Sequence, residues 1–99
     1  MGKKYFFLKL IPPRPSFMMD MNEKERATMQ QHAAYWNKYV QEGMMIALGP
    51  VMDPKGGYGV GIAEVESLEQ LNELIAKDPA NGVNKYEVYQ MPAVNYKKS

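Results

Sequence analysis

Cysteine is absent from this 99-residue sequence, and histidine occurs once, at His32. The lack of cysteine excludes disulfide bonds, a thiolate nucleophile and a cysteine-based zinc site. A single histidine cannot build a multi-histidine metal site, and no HExxH motif is present, so we expect neither a metal nor another cofactor. The lack of cysteine also suits a reducing compartment, and we expect a cytoplasmic protein.

An excess of charge of one sign and long apolar runs are also missing. Twelve Lys and Arg residues stand against eleven Asp and Glu residues, which gives a net charge of +1. This balance argues against nucleic acid or anionic lipid as a partner. No apolar run approaches the ~20 residues of a membrane span. The start MGKKYFFLKLIPPRP has prolines in place of a cleavage site, so a strand is expected there and not a signal peptide.

The order of apolar and turn patterns predicts one domain over residues 1–99, with a basic tail from about residue 94. Asn22 with Glu25 predicts a capped helix that ends at Gly43, and Ser67 with Gln70 predicts a second one, to about residue 77. Strands are predicted over residues 4–11, 44–48, 58–66 and 85–91, with turns over residues 49–57. This β-α-β-β-α-β order indicates an α+β, ferredoxin-like fold with a four-stranded antiparallel sheet.

The stretch 55-KGGYGVGIAEV-65 partly matches the RNP1 box of the RNA-recognition motif, which has the same topology. However, Val60 and Gly61 stand where that box needs an aromatic residue and Val. The small residues Gly59 and Gly61 should face the helices, which leaves Val60 and Ile62 on the open face, extended by Phe and Leu of the first strand. Aliphatic side chains offer no ring for base stacking, so we expect a homodimer through this face, with RNA binding as a weaker alternative.

Three segments carry a resemblance to the YCII-related family: MQQHAAYW, GMMIALGPVMDPKGGYGVGIAEVES and KDPANGVNKYEVYQMP. The resemblance covers nearly the whole chain, to about Pro92. It implies a dimeric α+β barrel, as in muconolactone isomerase-like proteins, and a small cofactor-free enzyme with a His-Asp pair in a cleft. One branch of the family eliminates chloride from a chlorinated hydroxyquinol. The matching positions are His32, Gly43, Gly49, Pro50, Asp53, Gly57, Glu64, Asp78, Pro79 and Tyr86.

His32 and Asp78 are the candidate catalytic residues. A lone histidine on an apolar helix face is usually a core residue, and the resemblance is what favours catalysis. Asp78 stands at a helix C-terminus, where its charge opposes the helix dipole, so a partner for that charge is expected. A carboxylate on one imidazole nitrogen fixes the tautomer and leaves the other nitrogen free to take a proton. Asp53, in the glycine-rich loop, is the rival partner.

Four residues are candidates for substrate binding. Arg14, in the proline-rich loop, is a candidate partner for an anionic substrate, with a solvated loop arginine as the safer interpretation. Trp36, on the turn after the histidine, is expected to belong to the core and to the cleft wall. Asp53 lies in a loop that suits a lid, and Tyr58 lies on the predicted barrel wall. We therefore expect a lyase or isomerase that acts on a small cyclic or aromatic polar substrate. The alternative is a non-catalytic homodimer that binds a small ligand.

Overall fold

A four-stranded antiparallel sheet is the framework in a computed structural model that describes residues 2–97. The strands Tyr58–Val65 and Lys4–Ile11 lie at the centre of the sheet, with Met45–Val51 beside the first and Lys85–Met91 beside the second. The predicted α+β fold is confirmed, and the helix at Phe17–Asp20 is an addition to it. Within residues 2–97, no helix combines the length and apolar character that a membrane crossing requires. The elements are β1 (Lys4–Ile11), α1 (Phe17–Asp20), α2 (Glu23–Gln41), β2 (Met45–Val51), β3 (Tyr58–Val65), α3 (Leu68–Ala76) and β4 (Lys85–Met91).

The predicted caps of α2 are present. The Asn22 side chain accepts a hydrogen bond from the Glu25 N–H at 2.8 Å, and the Glu25 carboxylate accepts one from the Asn22 N–H at 2.9 Å. Gly43 follows the helix with a φ of +84°, a conformation that favours glycine. The same Glu25 carboxylate accepts two hydrogen bonds from Arg14, at 2.8 and 2.9 Å. This contact ties the proline-rich loop to the first turn of α2.

The cap of α3 differs in part from the prediction. The Ser67 hydroxyl accepts a hydrogen bond from the Gln70 N–H at 3.1 Å, as expected of an N-cap. The Gln70 side chain, however, accepts from the N–H of Glu66 at 2.8 Å and not from that of Ser67. The two hydrogen bonds still satisfy backbone donors at the start of the helix, so the predicted helix begins where expected.

β2 continues to Val51, beyond the predicted end at Leu48. The dipeptide Gly49-Pro50 suggested a turn, yet Pro50 pairs with Gly59 of β3. Because β2 is an edge strand, a missing N–H can face solvent without breaking a ladder hydrogen bond. The sequence pattern did not reveal that this strand lies at an edge.

The core lies between the helices and one face of the sheet. Leu8 and Leu10 of β1 are buried there and lie opposite Gly61 and Gly59 of β3, so large side chains on one strand face small residues on the other. The prediction that the glycine side faces the helices agrees with this register. The prediction that leucines of β1 extend the open face is wrong, since both leucines are in the core. Phe7 is the phenylalanine of β1 that pairs with Ile62 on the open face.

Candidate functional site

His32 of α2 and Asp78 are both buried, and their side chains are in direct contact. The histidine Nδ1 lies 2.8 Å from Oδ2 and 3.0 Å from Oδ1 of the carboxylate. Asp78 directly follows the end of α3, on the connection to β4, so two distant parts of the chain meet here. A carboxylate only accepts, so Nδ1 carries the hydrogen, and the neutral imidazole keeps its lone pair on Nε2.

The Asp78 carboxylate is surrounded by donors. Its Oδ1 accepts from the Ala80 N–H at 2.9 Å, and its Oδ2 accepts from the Trp36 indole N–H at 3.0 Å and from the Tyr86 hydroxyl. Burial is the largest single influence and raises the Asp78 pKa. The hydrogen bonds from His32, Tyr86, Ala80 and Trp36 together outweigh it and hold that pKa below its ordinary value. The carboxylate is therefore charged at neutral pH.

Tyr86 of β4 completes this group as a fixed donor. Burial raises the pKa of its hydroxyl, and the hydrogen bond to Asp78 and the charge of that carboxylate raise it further. The phenol therefore stays protonated. Its oxygen also accepts from the Trp36 indole N–H at 3.0 Å. The hydroxyl thus links the indole to the carboxylate and stabilises the negative charge beside His32.

His32 also lines a cavity of about 790 Å³ between α2, the loop after β1 and the ends of β2 and β3. His32 is only 8% exposed, and its hydrogen bonds within residues 2–97 all use Nδ1. In the same part of the chain, no fully enclosed side-chain nitrogen or oxygen lacks a partner. Nε2 is therefore not fully enclosed, and His32 is one of the residues that line the cavity.

The cavity is mostly apolar and has the size of known small-molecule sites. Its polar lining residues are His32, Asn37, Tyr58 and Asn84. Among the lining residues, within the described part of the chain, none is a lysine, arginine, aspartate or glutamate. A molecule in this space would contact an apolar wall and a few hydrogen-bonding groups. The apolar lining is formed by Leu10, Pro12, Phe17, Met18, Met21, Met29, Ala33, Val40, Ala47, Leu48 and Pro50, with Gly49 and Gly59.

Trp36 does not lie where a substrate contact requires. It is 0% exposed, and its indole N–H donates to Asp78 and Tyr86. Trp36 is four positions after His32, so it shares the inward helix face but lies a turn further along. A fully enclosed ring cannot touch a ligand in the cavity. The expectation of a cleft-wall role for Trp36 is therefore corrected, and its contacts support Asp78.

Arg14 and Asp53 line a neighbouring depression that does not include His32. The Arg14 guanidinium lies 2.8 Å from carboxylates of Asp20 and Glu25, so its charge is already matched. The hydrogen bond from Arg14 is the main reason that the Glu25 pKa falls to about 2. The Asp53 side chain accepts from the Lys55 N–H at 2.9 Å and so closes its own turn. The histidine in contact with Asp78 thus lies apart from these two residues.

Tyr58 borders both this depression and the His32 cavity. Its ring is also covered by Lys9, whose Nζ lies 4.7 Å from the ring centroid. Of the predicted substrate-binding residues, Tyr58 is therefore the one that the structure places beside the His32 cavity.

Sequence reasoning assigned no role to Tyr86 and did not single out Asn84. For Tyr86 a signal exists, because the alternation of β4 places it on the helix side of the sheet, and a buried phenol needs a hydrogen-bond partner. For Asn84 we find no such signal, since its position depends on the path of the turn between α3 and β4.

The comparison with known families extends over most of the chain. The sequence profile of the YCII-related domain matches residues 5–93. This span contains His32, Asp78, Tyr86 and the residues that line the cavity. Among curated proteins, none matches the chain. The family profile covers far more than half of the sequence, and the chain therefore belongs to the YCII-related family.

Proposed function

We propose that the protein is a cofactor-independent enzyme of the lyase or isomerase type, acting on a small cyclic or aromatic polar substrate. The observation that carries this proposal is the asymmetric environment of the single histidine. Nδ1 of His32 is held by the charged carboxylate of Asp78, Nε2 is unpartnered but not fully enclosed within residues 2–97, and His32 lines a cavity of small-molecule size. A histidine with one nitrogen fixed and the other facing a ligand space is suited to general acid-base catalysis.

In the proposed reaction, the Nε2 lone pair takes a proton from an acidic C–H group of the substrate. The C–H bond breaks, the electron pair stays on the substrate, and His32 becomes an imidazolium. The Asp78 carboxylate, 2.8 Å away, stabilises that positive charge. The electron pair then expels a leaving group, as in a lyase, or takes the proton back from Nε2 at another carbon, as in an isomerase. In the lyase route the imidazolium then gives its proton to the departing group or to water, so both routes restore the neutral histidine without an added oxidant or reductant.

The variant His32→Asn separates catalysis from folding. An asparagine amide can donate to Asp78 as Nδ1 does, but it places no proton acceptor at the position of Nε2. We expect the variant to fold and to lose at least about 100-fold in turnover, the usual lower range for general acid-base catalysis. Gln31→Asn, at the exposed neighbouring position of α2, is the matched control and should keep full turnover.

The assay follows a panel of cyclic and aromatic compounds with acidic C–H groups by proton NMR in D₂O. Deuterium uptake or loss of a leaving group reports proton abstraction directly. Equal turnover by wild type and His32→Asn would contradict the role of the histidine. Binding of panel members without turnover by wild type would favour the alternative, a non-catalytic protein that holds a small ligand in the same apolar cavity.

We further propose that two copies associate through the open sheet face. Val60, Ile62 and Phe7 are partly exposed there, and Tyr89 is 53% exposed. The charged residues Lys9 and Glu87 lie directly opposite each other in the β1–β4 register, which leaves this part of the face without net charge. Exposed apolar faces of this kind commonly mark interaction surfaces.

Light scattering at low micromolar concentration tests the assembly. The expected mass is twice the 11.3 kDa of one chain, and a stable 11.3 kDa species would contradict the dimer. Oligonucleotide binding that weakens with salt would instead favour the RNA-binding alternative for the same face.

A further inference from the structure

Asn84 is a buried amide on the wall of the His32 cavity. It lies just before β4 and is 6% exposed. Its side-chain nitrogen lies 3.6 Å from the sulfur of Met29. A thioether sulfur can only accept a hydrogen bond, so the NH₂ group of the amide is the part that faces it. This weak contact favours the orientation in which the NH₂ group points toward Met29.

The amide oxygen of Asn84 has no hydrogen-bond partner within residues 2–97. No side-chain nitrogen or oxygen that is fully enclosed in this part of the chain lacks a partner, so Oδ1 must keep open space beside it. Asn84 lines the cavity, and we take this space to be the one that Oδ1 adjoins. Buried polar atoms in proteins are nearly always paired, and an acceptor left open in an apolar wall is available to a ligand donor.

The contacts that Asn84 and Asp78 make with α2 show how far Asn84 lies from the histidine. Asp78 contacts His32, and Asn84 contacts Met29, which is three positions earlier on the same helix. Side chains at this spacing are neighbours, with Cβ atoms about 5–6 Å apart. The carboxamide is therefore about one helical turn from the imidazole, within reach of one small molecule.

The charge of the wall limits the ligand class. Among the described residues, those lining the cavity include no lysine or arginine, and Arg14 is paired with Asp20 and Glu25 at the neighbouring depression. The polar groups of the wall, on His32, Asn37, Tyr58 and Asn84, are uncharged or, for His32, already paired with Asp78. An anion would therefore find no permanent positive charge among these lining residues.

We infer that Asn84 is a ligand-binding residue that selects uncharged molecules presenting a hydroxyl or N–H donor on an apolar body. This inference rests on the proposed function in one respect only, that the His32 cavity is the ligand site. The donor of the ligand bonds to Oδ1 of Asn84, and the apolar body packs on the methionines and aliphatic residues of the wall. Asn84 thereby orients the ligand beside Nε2 of His32.

Three naphthalene derivatives with one apolar body test this selection: 1-naphthol carries a donor, 1-methoxynaphthalene lacks it, and 1-naphthoate carries a negative charge. Binding is followed by NMR on the ring protons of His32, which are unambiguous because the sequence has one histidine. For the wild type we expect 1-naphthol to bind about tenfold more tightly than 1-methoxynaphthalene, the usual effect of one hydrogen bond. 1-Naphthoate should bind most weakly. Equal affinities, or no binding of any probe at millimolar concentration, would overturn the inference.

Two variants assign the effect to Asn84. Asn84→Leu keeps a similar volume without hydrogen bonding and should abolish the preference for 1-naphthol. Asn84→Asp keeps an acceptor oxygen and should retain that preference, which guards against a variant that fails to fold. Asn72→Leu, on the exposed side of α3, is the control and should bind like the wild type.

A tenfold preference that persists in folded Asn84→Leu would overturn the inference and assign the donor contact to another group. The proposed catalysis can fail separately. If Asn84 governs naphthol binding while His32→Asn retains full turnover, the binding role stands and the catalytic role of the histidine does not.

Discussion

Replacing Asp78 with asparagine changes the site without changing its shape. Oδ1 of Asp78 accepts from the Ala80 N–H, and Oδ2 accepts from Trp36 and Tyr86, while His32 lies within 3.0 Å of both oxygens. An asparagine has one oxygen and one NH₂ group. In one orientation the NH₂ group opposes the Ala80 N–H, and in the other it opposes the indole and the phenol. Either orientation places donors against donors.

The magnitude follows from the orientation that costs less. With the NH₂ group facing Ala80, one buried N–H is left unsatisfied, which costs about 1–3 kcal/mol. The hydrogen bonds from His32, Trp36 and Tyr86 remain, but each becomes about 1 kcal/mol weaker because the acceptor is no longer charged. Relief from burying a charge offsets part of this loss. We expect a net decrease of about 2–4 kcal/mol in the free energy of unfolding, or roughly 10–25 °C in Tm for a domain of this size.

Urea unfolding at pH 7 and one fixed protein concentration measures this difference. Asp53→Asn is the matched control, since Asp53 caps an exposed turn through Lys55 and should change stability by less than about 1 kcal/mol. Adding Tyr86→Phe to Asp78→Asn should cost less than Tyr86→Phe alone, because the phenol has already lost its charged partner. If Asp78→Asn behaves like Asp53→Asn, the buried carboxylate does not hold this site together and the reasoning fails.

The remaining predictions concern acid and assembly. The folded pKa of Asp78 lies below its unfolded value, so its contribution to stability is complete above about pH 4 and disappears as the pH falls through the folded pKa. Urea unfolding between pH 7 and pH 2 should therefore show that the free energy of unfolding falls less on acidification in Asp78→Asn than in wild type. Equal decreases in the two proteins would contradict this. Val60→Lys should lower the dimer fraction measured by light scattering, because an unpaired ammonium group is costly to bury. The control Ala34→Lys, on the exposed side of α2, should leave the dimer fraction unchanged. Equal masses for the two variants would argue against the sheet-face interface.

Much of the fold could be predicted because local signals agreed with it. Asn22 with Glu25, and Gly43, mark the ends of α2 by hydrogen-bonding groups and a backbone conformation that only nearby residues determine. The faces of β1 were harder to assign. Leu8 and Leu10 belong to the core because they lie opposite glycines of β3, and that pairing depends on the register between strands. Matching large residues to small ones across strands would have placed them correctly.

The candidate site also contains some residues whose role the sequence could indicate and others whose role it could not. His32 and Asp78 could be proposed from chemistry and from the family resemblance, and the structure brings them within 2.8 Å. The role of Trp36 could not, because an amphipathic pattern shows which helix face is inward but not which residue on it borders a cavity. The contact of Arg14 could not be predicted for a related reason, since its partner Glu25 is eleven positions away and becomes close only when the proline-rich loop folds back.

Pro50 has a consequence for how copies of this chain can join. It lies in β2, at one edge of the sheet, and it has no N–H to offer an incoming strand. An open-ended sheet of many subunits grows only if each subunit pairs one sheet edge with the subunit before it and leaves its other sheet edge free for the next subunit. Because Pro50 has no backbone N–H, a strand that paired with this edge would form one hydrogen bond fewer. Each step of such polymerisation would therefore be weaker. The proline thus disfavours open-ended growth by addition of strands at this edge.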